Sequence, residues 1–268
     1  MGFKPPSEKN DMNVLITSGG TTERIDTVRS ISNMSTGSLG SMVADRFSGE
    51  SSIEKIFYIC GMSAIRPLSE RVAVKPVDSV ANLESVVRET LGSSDIDIII
   101  HAMAVSDYRA RSVMSADSLA GSIVSNLGKL MGLDGSAASS AVLELLKSHE
   151  SAISLEGKIS SDMDGILLFM ERTPKIIALF HELSPRSMLI GFKLLDNVPL
   201  DALMDAGYKL LIQNKCSFVL ANDLRDISDK QHTGYLIDKE KNYTRHSSKA
   251  EIAAAIVAAA INERTKVS

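Results

Sequence analysis

With 268 residues, 44% of them hydrophobic, the chain is long enough to bury a substantial core as one large domain or two small ones. A formal net charge of −4 argues against a nucleic-acid-binding surface, while leaving room for a local basic pocket. Two cysteines, no apolar run of membrane-spanning length and no signal-peptide core argue against a disulfide scaffold, a cysteine metal site and a membrane or secreted protein, so a cytoplasmic location is expected.

Residues 1–11, with Pro5-Pro6 and mixed charges, read as a disordered leader before a folded part that starts at Met12. Val14-Leu15-Ile16 is a short apolar burst of the kind a buried strand uses. It stops at Ser18-Gly19-Gly20, whose glycines permit a tight turn and a close approach of backbone N–H groups to a ligand. A polar loop carrying Arg29 and Asn33 follows and ends at Asn33-Met34-Ser35-Thr36-Gly37. Beyond it Leu39, Met42, Val43, Ala44 and Phe47 recur at helical spacing, with Ser35 and Thr36 as expected caps. Strand, glycine turn, polar loop and helix start together make an anion site of the kind nucleotide-binding α/β domains use. The pattern is neither Gly-x-Gly-x-x-Gly nor a P-loop, so on local spacing alone a plain glycine-rich turn is the other reading.

Ile53–Cys60 is a second strand. It ends at Cys60-Gly61-Met62 without the acidic residue that holds a ribose in dehydrogenases, which counts against NAD. A short strand runs from Val72 to Val77, and Asp78 or Ser79 caps a helix with Val80, Leu83, Val86, Val87 and Leu91 on its apolar face. Asp97–Ala104 is a central strand, hydrophobic on both faces as a parallel sheet demands. It ends in Ala102-Met103-Ala104-Val105-Ser106-Asp107-Tyr108, so Asp107 sits where open α/β sheets hold ligands; capping of the next segment is its other reading. Arg111–Glu156, rich in Ser, Ala and Gly, predicts little structure beyond an amphipathic helix at Ala141–Leu146, as suits a lid or a dimer arm.

Lys158, in Gly157-Lys158-Ile159-Ser160-Ser161, would by itself be a solvated charge ahead of an apolar strand at Gly165–Met170. Thr173 as cap and Pro174 in the first turn predict a helix with Ile176, Ile177 and Phe180 buried, and a second anion-friendly terminus at Pro174, Lys175 and Ile176. Ser187–Lys193 is the next strand and carries Gly191-Phe192. A helix at Leu200–Asn214 and a strand from Ser217 to Leu220, ending in Ala221-Asn222-Asp223, follow. Tyr235–Asp238 reads as a late hairpin or edge strand, and Lys249–Ile261 as a C-terminal helix. Strands alternating with helices predict one α/β domain over residues 12–268, a doubly wound, mainly parallel, Rossmann-like sheet with an added late strand or hairpin and a long central insertion at 111–157.

Read whole, Gly19-Gly20-Thr21 and then Ile25-Asp26-x-Val28-Arg29-x-Ile31-Ser32-Asn33-x-Ser35-x-Gly37-x-x-Gly40 resembles the signature of phosphopantothenoylcysteine synthetase (phosphopantothenate–cysteine ligase). Ala102 to Tyr108 is similar to that family's Ala-Ala-Val-x-Asp-aromatic stretch, with Met103 in place of a small residue. Lys158-Ile159-Ser160-Ser161 resembles its Lys-Ile-x-Ser, Gly191-Phe192 its Gly-Phe, and Ala221-Asn222-Asp223 its Ala-Asn-Asp stop. The spacing from Asp107 to Lys158 is longer than in short bacterial forms, and Lys209 and Lys215 fall out of step with the family's basic residues and are not carried over.

The resemblance implies a monofunctional ligase of coenzyme A synthesis, joining 4′-phosphopantothenate to L-cysteine through an acyl-nucleotide. CTP or ATP is the implied co-substrate, CTP being favoured, with pyrophosphate released, Mg²⁺ as bridging cation and no resident metal site. It assigns Lys158 to the activation step and Asn33 to the acyl-nucleotide. Arg29, Asn33 and Ala104 are implied for the acid substrate, with bracing of the loop open as Arg29's other role. The nucleotide falls to Gly19, Gly20, Ser35 and Gly37, to Ala102, Met103 and Asp107, and to Pro174, Lys175, Ile176 and Phe192; for Phe192 a plain core position is equally open. A homodimer is implied, with no nucleic-acid or membrane partner. The rivals are a short-chain NAD(P)-dependent oxidoreductase, whose first glycine turn is missing here, and a non-catalytic nucleotide-binding module.

Overall fold

The computed structural model describes residues 11–148, 156–163, 165–228 and 231–267; apart from Asp11, the expected leader lies outside them. In chain order the elements are β1 (Met12–Gly20), β2 (Thr22–Arg24), β3 (Ser30–Ser32), α1 (Ser38–Ser48), β4 (Ile53–Gly61), β5 (Val72–Val77), α2 (Val80–Ser93) and β6 (Ile98–Ala104). Then come β7 (Tyr108–Ser115), α3 (Ala116–Ser125), α4 (Leu127–Leu130), α5 (Gly135–Ser148), β8 (Ile166–Arg172), α6 (Ile176–Leu183) and β9 (Met188–Leu195). The chain ends with α7 (Leu200–Gln213), β10 (Phe218–Asp223), β11 (Gly234–Ile237), β12 (Tyr243–His246) and α8 (Lys249–Val267). Two compact units result: one of Met1–Thr21, Asn33–Val105 and Lys175–Ser268, the other of Thr22–Ser32 and Ser106–Pro174. No helix among the described residues is long and apolar enough to cross a membrane.

The first unit holds an eight-stranded sheet in the order β12-β11-β10-β9-β6-β1-β4-β5. The six strands from β10 to β5 are parallel, and the β11–β12 hairpin adds to β10 antiparallel. From β1 the chain steps outward through β4 and β5, then returns to the other side of β1 for β6, β9 and β10. The switch point therefore lies between β1 and β6. Side chains alternate cleanly: Val14, Ile16, Ile98 and Ile100 meet Val43 and Phe47 of α1 and Ile252 and Ile256 of α8. Leu15, Ile99 and Leu189 meet Leu83 and Val87 of α2, Phe180 of α6 and Leu211 of α7 on the opposite face. Burial on both faces is why these strands read as unbroken apolar runs, each full burial contributing roughly 1.5–3 kcal/mol. The doubly wound, mainly parallel sheet and the late hairpin are as expected from the sequence.

The second unit consists of the β2–β3 hairpin, an antiparallel β7–β8 ribbon and α3, α4 and α5. It overturns the expectation that little structure follows Arg111. Residues up to Ser148 form most of β7 and three helices, and Ser115 caps α3 by accepting the Ser118 N–H at 3.1 Å. The ladder runs from Tyr108 opposite Arg172 to Ser115 opposite Ile166, with Val113 and Met114 buried. Local pattern misses it because the strands that pair lie far apart in sequence, and because α3 and α4 bury no residue completely. Residues 149–155, the rest of the expected insertion before Glu156, lie outside the described residues.

Candidate functional site

The loop between β1 and α1 is held by backbone geometry more than by caps. Gly37, not Ser35 or Thr36, is the N-cap of α1: its φ is 70° and no side chain caps the helix. An L side chain at that φ is strained, and an added Cβ would lie 3.0 Å from the Ala64 Cβ and 3.1 Å from the Gly19 N. Thr36 Oγ1 makes only a 3.4 Å contact with the Ser38 N–H. Ser18 Oγ donates to the Gly37 carbonyl at 3.1 Å and draws the loop onto the tip of β1. Apart from Ser38, whose N–H reaches Thr36 Oγ1, the amides of the first turn of α1 have no acceptor within the helix, and it is at such an end that anions bind.

Beside this helix start, at the carboxyl ends of the parallel strands, lies a cavity of about 390 Å³. Its floor comes from Ser18 of β1, Ala102, Met103 and Ala104 of β6, Phe192, Lys193 and Leu194 of β9 and Asn222 of β10. Its walls are the loop from Met34 into α1 together with Leu224, Ile227, His232 and Lys249. Ser35, Gly37, Ala102, Met103, Ala104 and Phe192, all expected at the site, share this cavity. Phe192 packs against the core cluster and also lines the cavity.

Other expected residues are placed elsewhere. Gly19 and Gly20 sit in β1 opposite Met103 and Ala104 and serve the packing of the turn. A Cβ on Gly20 would fall 2.1 Å from the Asn33 carbonyl oxygen. Asn33 itself fastens to Thr21, its N–H donating to the Thr21 carbonyl at 3.1 Å. Ile176 is core, packed on the α2 side of the sheet. Lys175, with no side-chain cap bond, is the N-cap of α6, so the expected Thr173 cap is overturned. The Thr173 hydroxyl instead donates to the Ser106 carbonyl, and its N–H to the carbonyl of Asp107 at 3.1 Å; this ties the two ends of the β7–β8 ribbon together before Pro174.

Asp107, Arg29, Pro174 and Lys158 belong to the second unit. There Asp26 is buried and accepts the N–H groups of Val28 at 2.8 Å, Arg29 at 2.6 Å and Ile159 at 3.1 Å. Burial alone would raise its pKa; the hydrogen bonds from Val28, Ile159 and Arg29 and the Arg29 charge outweigh burial and hold it below the usual carboxylate value. Arg29 pairs with Asp26 at 3.3 Å and reaches the Ile159 carbonyl at 3.5 Å, which is the bracing role. Lys158, exposed, is the residue before this clamped Ile159.

Three groups of the cavity carry no signal in local sequence: Lys193, Lys249 and His232. Lys249, the first residue of α8, donates from Nζ to Ser38 Oγ at 2.7 Å. Burial first, and the Lys249 charge second, keep His232 below the ordinary histidine pKa, hence neutral. Asn222 and Asp223 explain the Ala-Asn-Asp stop. Asn222 reaches His232 and Thr233, whereas Asp223 accepts the N–H groups of Asn197, Val198 and Arg225 at 2.9–3.0 Å and so anchors the loop after β9. Among the described residues no three His, Cys, Asp or Glu side chains gather as metal ligands would. A Tyr-x-x-x-Lys spacing does occur at Tyr235 and Lys239, but Tyr235 lies in strand β11 with its ring against Tyr243, and Lys239 is ion-paired with Glu263. With Tyr235 in a strand and Lys239 in the turn that follows it, the pair is not set one helical turn apart on a single face as that chemistry requires, which removes the oxidoreductase reading.

The family model of the DNA/pantothenate metabolism flavoprotein C-terminal domain matches residues 9–118. The coenzyme A biosynthesis bifunctional protein CoaBC of Methanocaldococcus jannaschii is 26% identical over 252 residues, covering 93% of this chain and 50% of that protein. The chain spans about half the length of the curated relatives it matches. Among solved structures, the DNA/pantothenate metabolism flavoprotein from Streptococcus pneumoniae superposes with a TM-score of 0.73 at 32% identity, over 92% of this chain and 96% of that one. A Cab2 variant solved in complex with phosphopantothenate-cysteine shares the fold, with a TM-score of 0.62 at 16% identity over 96% of this chain and 87% of its own.

Proposed function

Because the chain belongs to the family of the DNA/pantothenate metabolism flavoprotein C-terminal domain, that of the phosphopantothenoylcysteine synthetases, we propose that it joins 4′-phosphopantothenate to L-cysteine. The acid's carboxylate attacks the α-phosphate of a nucleoside triphosphate, giving an acyl-nucleotide and pyrophosphate. The cysteine amine then attacks the acyl carbon, the acyl–phosphate bond breaks, and the nucleoside monophosphate and a proton leave. Such chemistry asks the protein for positioning and for positive charge around phosphates more than for a nucleophile.

The observation that carries this reading is the 390 Å³ cavity, because it draws Ser35, Ala102, Phe192 and Asn222 from four separate family motifs to one place at the sheet's switch point. The nucleotide occupies it, with phosphates toward the start of α1 and the two cavity lysines and with the base toward Phe192. Asn33 holds the acyl-nucleotide through an amide that both donates and accepts. Lys158 supports the activation step, and Arg29 braces the segment that carries it. Mg²⁺ enters with the triphosphate, since it binds through phosphates and waters and asks for no protein cage. CTP is the preferred nucleotide, and the working unit is a cytoplasmic homodimer.

The test is pyrophosphate release by the purified chain. It should require both phosphopantothenate and CTP or ATP, with amide formation requiring cysteine as well. Nucleotide binding with no release under any combination would reduce the protein to a non-catalytic binding module. Supplying CTP and ATP in competition fixes the preference, and sedimentation equilibrium fixes the oligomeric state.

A further inference from the structure

One corner of the cavity contains a buried hydrogen-bond donor with nothing to bind. His232 is 9% exposed and lines the cavity, and its Nδ1 has no partner among the described residues. The other ring nitrogen is spoken for. The Asn222 amide nitrogen donates to the Thr233 carbonyl at 2.8 Å, which fixes the orientation of that amide. Its second hydrogen points to His232 Nε2 at 3.3 Å, so Nε2 accepts and the neutral ring carries its proton on Nδ1. A buried N–H left unpaired is costly, and the ring that carries it lines the cavity. The backbone around it is pinned, with the His232 N–H on the Ser247 carbonyl at 3.3 Å and a bridge to Ile227.

Lys249 decides what kind of acceptor. Its ammonium rests on Ser38, the first residue of α1, at the positive end of that helix. A full positive charge, a helix N-terminus and a neutral N–H donor around one corner suit an anionic oxygen rather than a neutral carbonyl. We propose that this corner seats a terminal phosphate of the bound nucleotide, and then the departing pyrophosphate, with His232 as neutral donor and Lys249 as counter-charge; this rests on the nucleotide reading of the cavity. Keeping the histidine neutral gives it directionality without a second fixed charge, so pyrophosphate is held but not trapped.

Calorimetric binding of CTP, cytidine and inorganic pyrophosphate to the full chain tests this, with ATP and adenosine as a parallel pair. His232→Phe keeps the ring and removes the donor, whereas His232→Gln restores an N–H. The triphosphate and pyrophosphate should each weaken about ten- to a hundredfold in His232→Phe and in Lys249→Met, cytidine should be unchanged, and His232→Gln should recover most of the loss. Equal weakening of cytidine and CTP, or unchanged CTP binding in a folded His232→Phe, overturns the proposal. If His232→Phe does not fold, Lys249→Met and His232→Gln carry the same comparison. Pyrophosphate binding that needs His232, in a protein that binds neither CTP nor ATP, would uphold the phosphate corner and overturn the nucleotide reading. CTP binding indifferent to His232 would do the reverse.

Discussion

Lys158 gets its place from a residue that does no chemistry. Asp26 clamps two successive amides of the β2–β3 turn, those of Val28 and Arg29, and, across 133 positions of sequence, the amide of Ile159 next to Lys158. Lys158→Ala should abolish pyrophosphate formation, a loss of at least about a hundredfold, with the melting curve unchanged because an exposed lysine buries little. Near-normal activity in that variant would remove Lys158 from the activation step. Asp26→Asn keeps the shape but turns an acceptor-only group into one that also donates, so the amide of Ile159 or a turn amide loses its partner. Its kcat should fall about tenfold or more while calorimetric CTP affinity holds; equal falls in both would make Asp26 a general structural residue. The motif Ile25-Asp26-x-Val28-Arg29 was visible in the sequence, but Asp26's purpose was not, because its decisive partner is remote in the chain.

At the scale of elements, the entry to α1 shows what local rules can and cannot read. A helix after Gly37 was legible from the spacing of Leu39, Val43 and Phe47, whose burial drives it. The cap was not: Ser35 and Thr36 have the right chemistry, yet the chain enters through a left-handed glycine because Ser18 pulls the Gly37 carbonyl onto β1. Gly37→Ala should therefore destabilise the fold by about 1–2 kcal/mol and loosen the cavity wall, whereas Thr36→Ala should stay within roughly 0.5 kcal/mol. Chemical denaturation of the two variants checks the contrast, and a larger effect at Thr36 would restore the side-chain cap. The same limit hid β7. Its alternation is weak and its ladder is closed by β8, so composition alone read the region as loose.

The whole sheet was legible because each central strand is buried on both faces and cannot be mistaken for an amphipathic surface strand. The cavity's position followed from the switch between β1 and β6, but His232 and Lys249 reach it from beyond the last parallel strand, where no pattern marks them. The packed interior also contains a titratable group with a cost. His101, in β6, is buried with Nδ1 2.7 Å from Thr17 Oγ1 and its ring edge-on to Phe180, and burial holds its pKa down at about 4. The sign follows directly: between the unfolded value near 6.5 and about 4, the unfolded chain binds the proton that the folded chain refuses. Stability is then fully present above pH 6.5 and falls as pH drops toward 4, by about 3 kcal/mol from this group alone. His101→Gln can keep a hydrogen bond to Thr17 but has nothing to titrate. Urea unfolding at pH 7 and at pH 4.5 should therefore show a smaller difference for His101→Gln than for the wild-type chain, whatever the variant's absolute stability. Parallel losses in the two proteins would mean that His101 takes up its proton without unfolding; they would not come from the carboxylates Asp26 and Asp223, which lose stability of their own in acid. Their depressed values place that loss lower, below the ordinary carboxylate range, so the two sources separate along the pH axis.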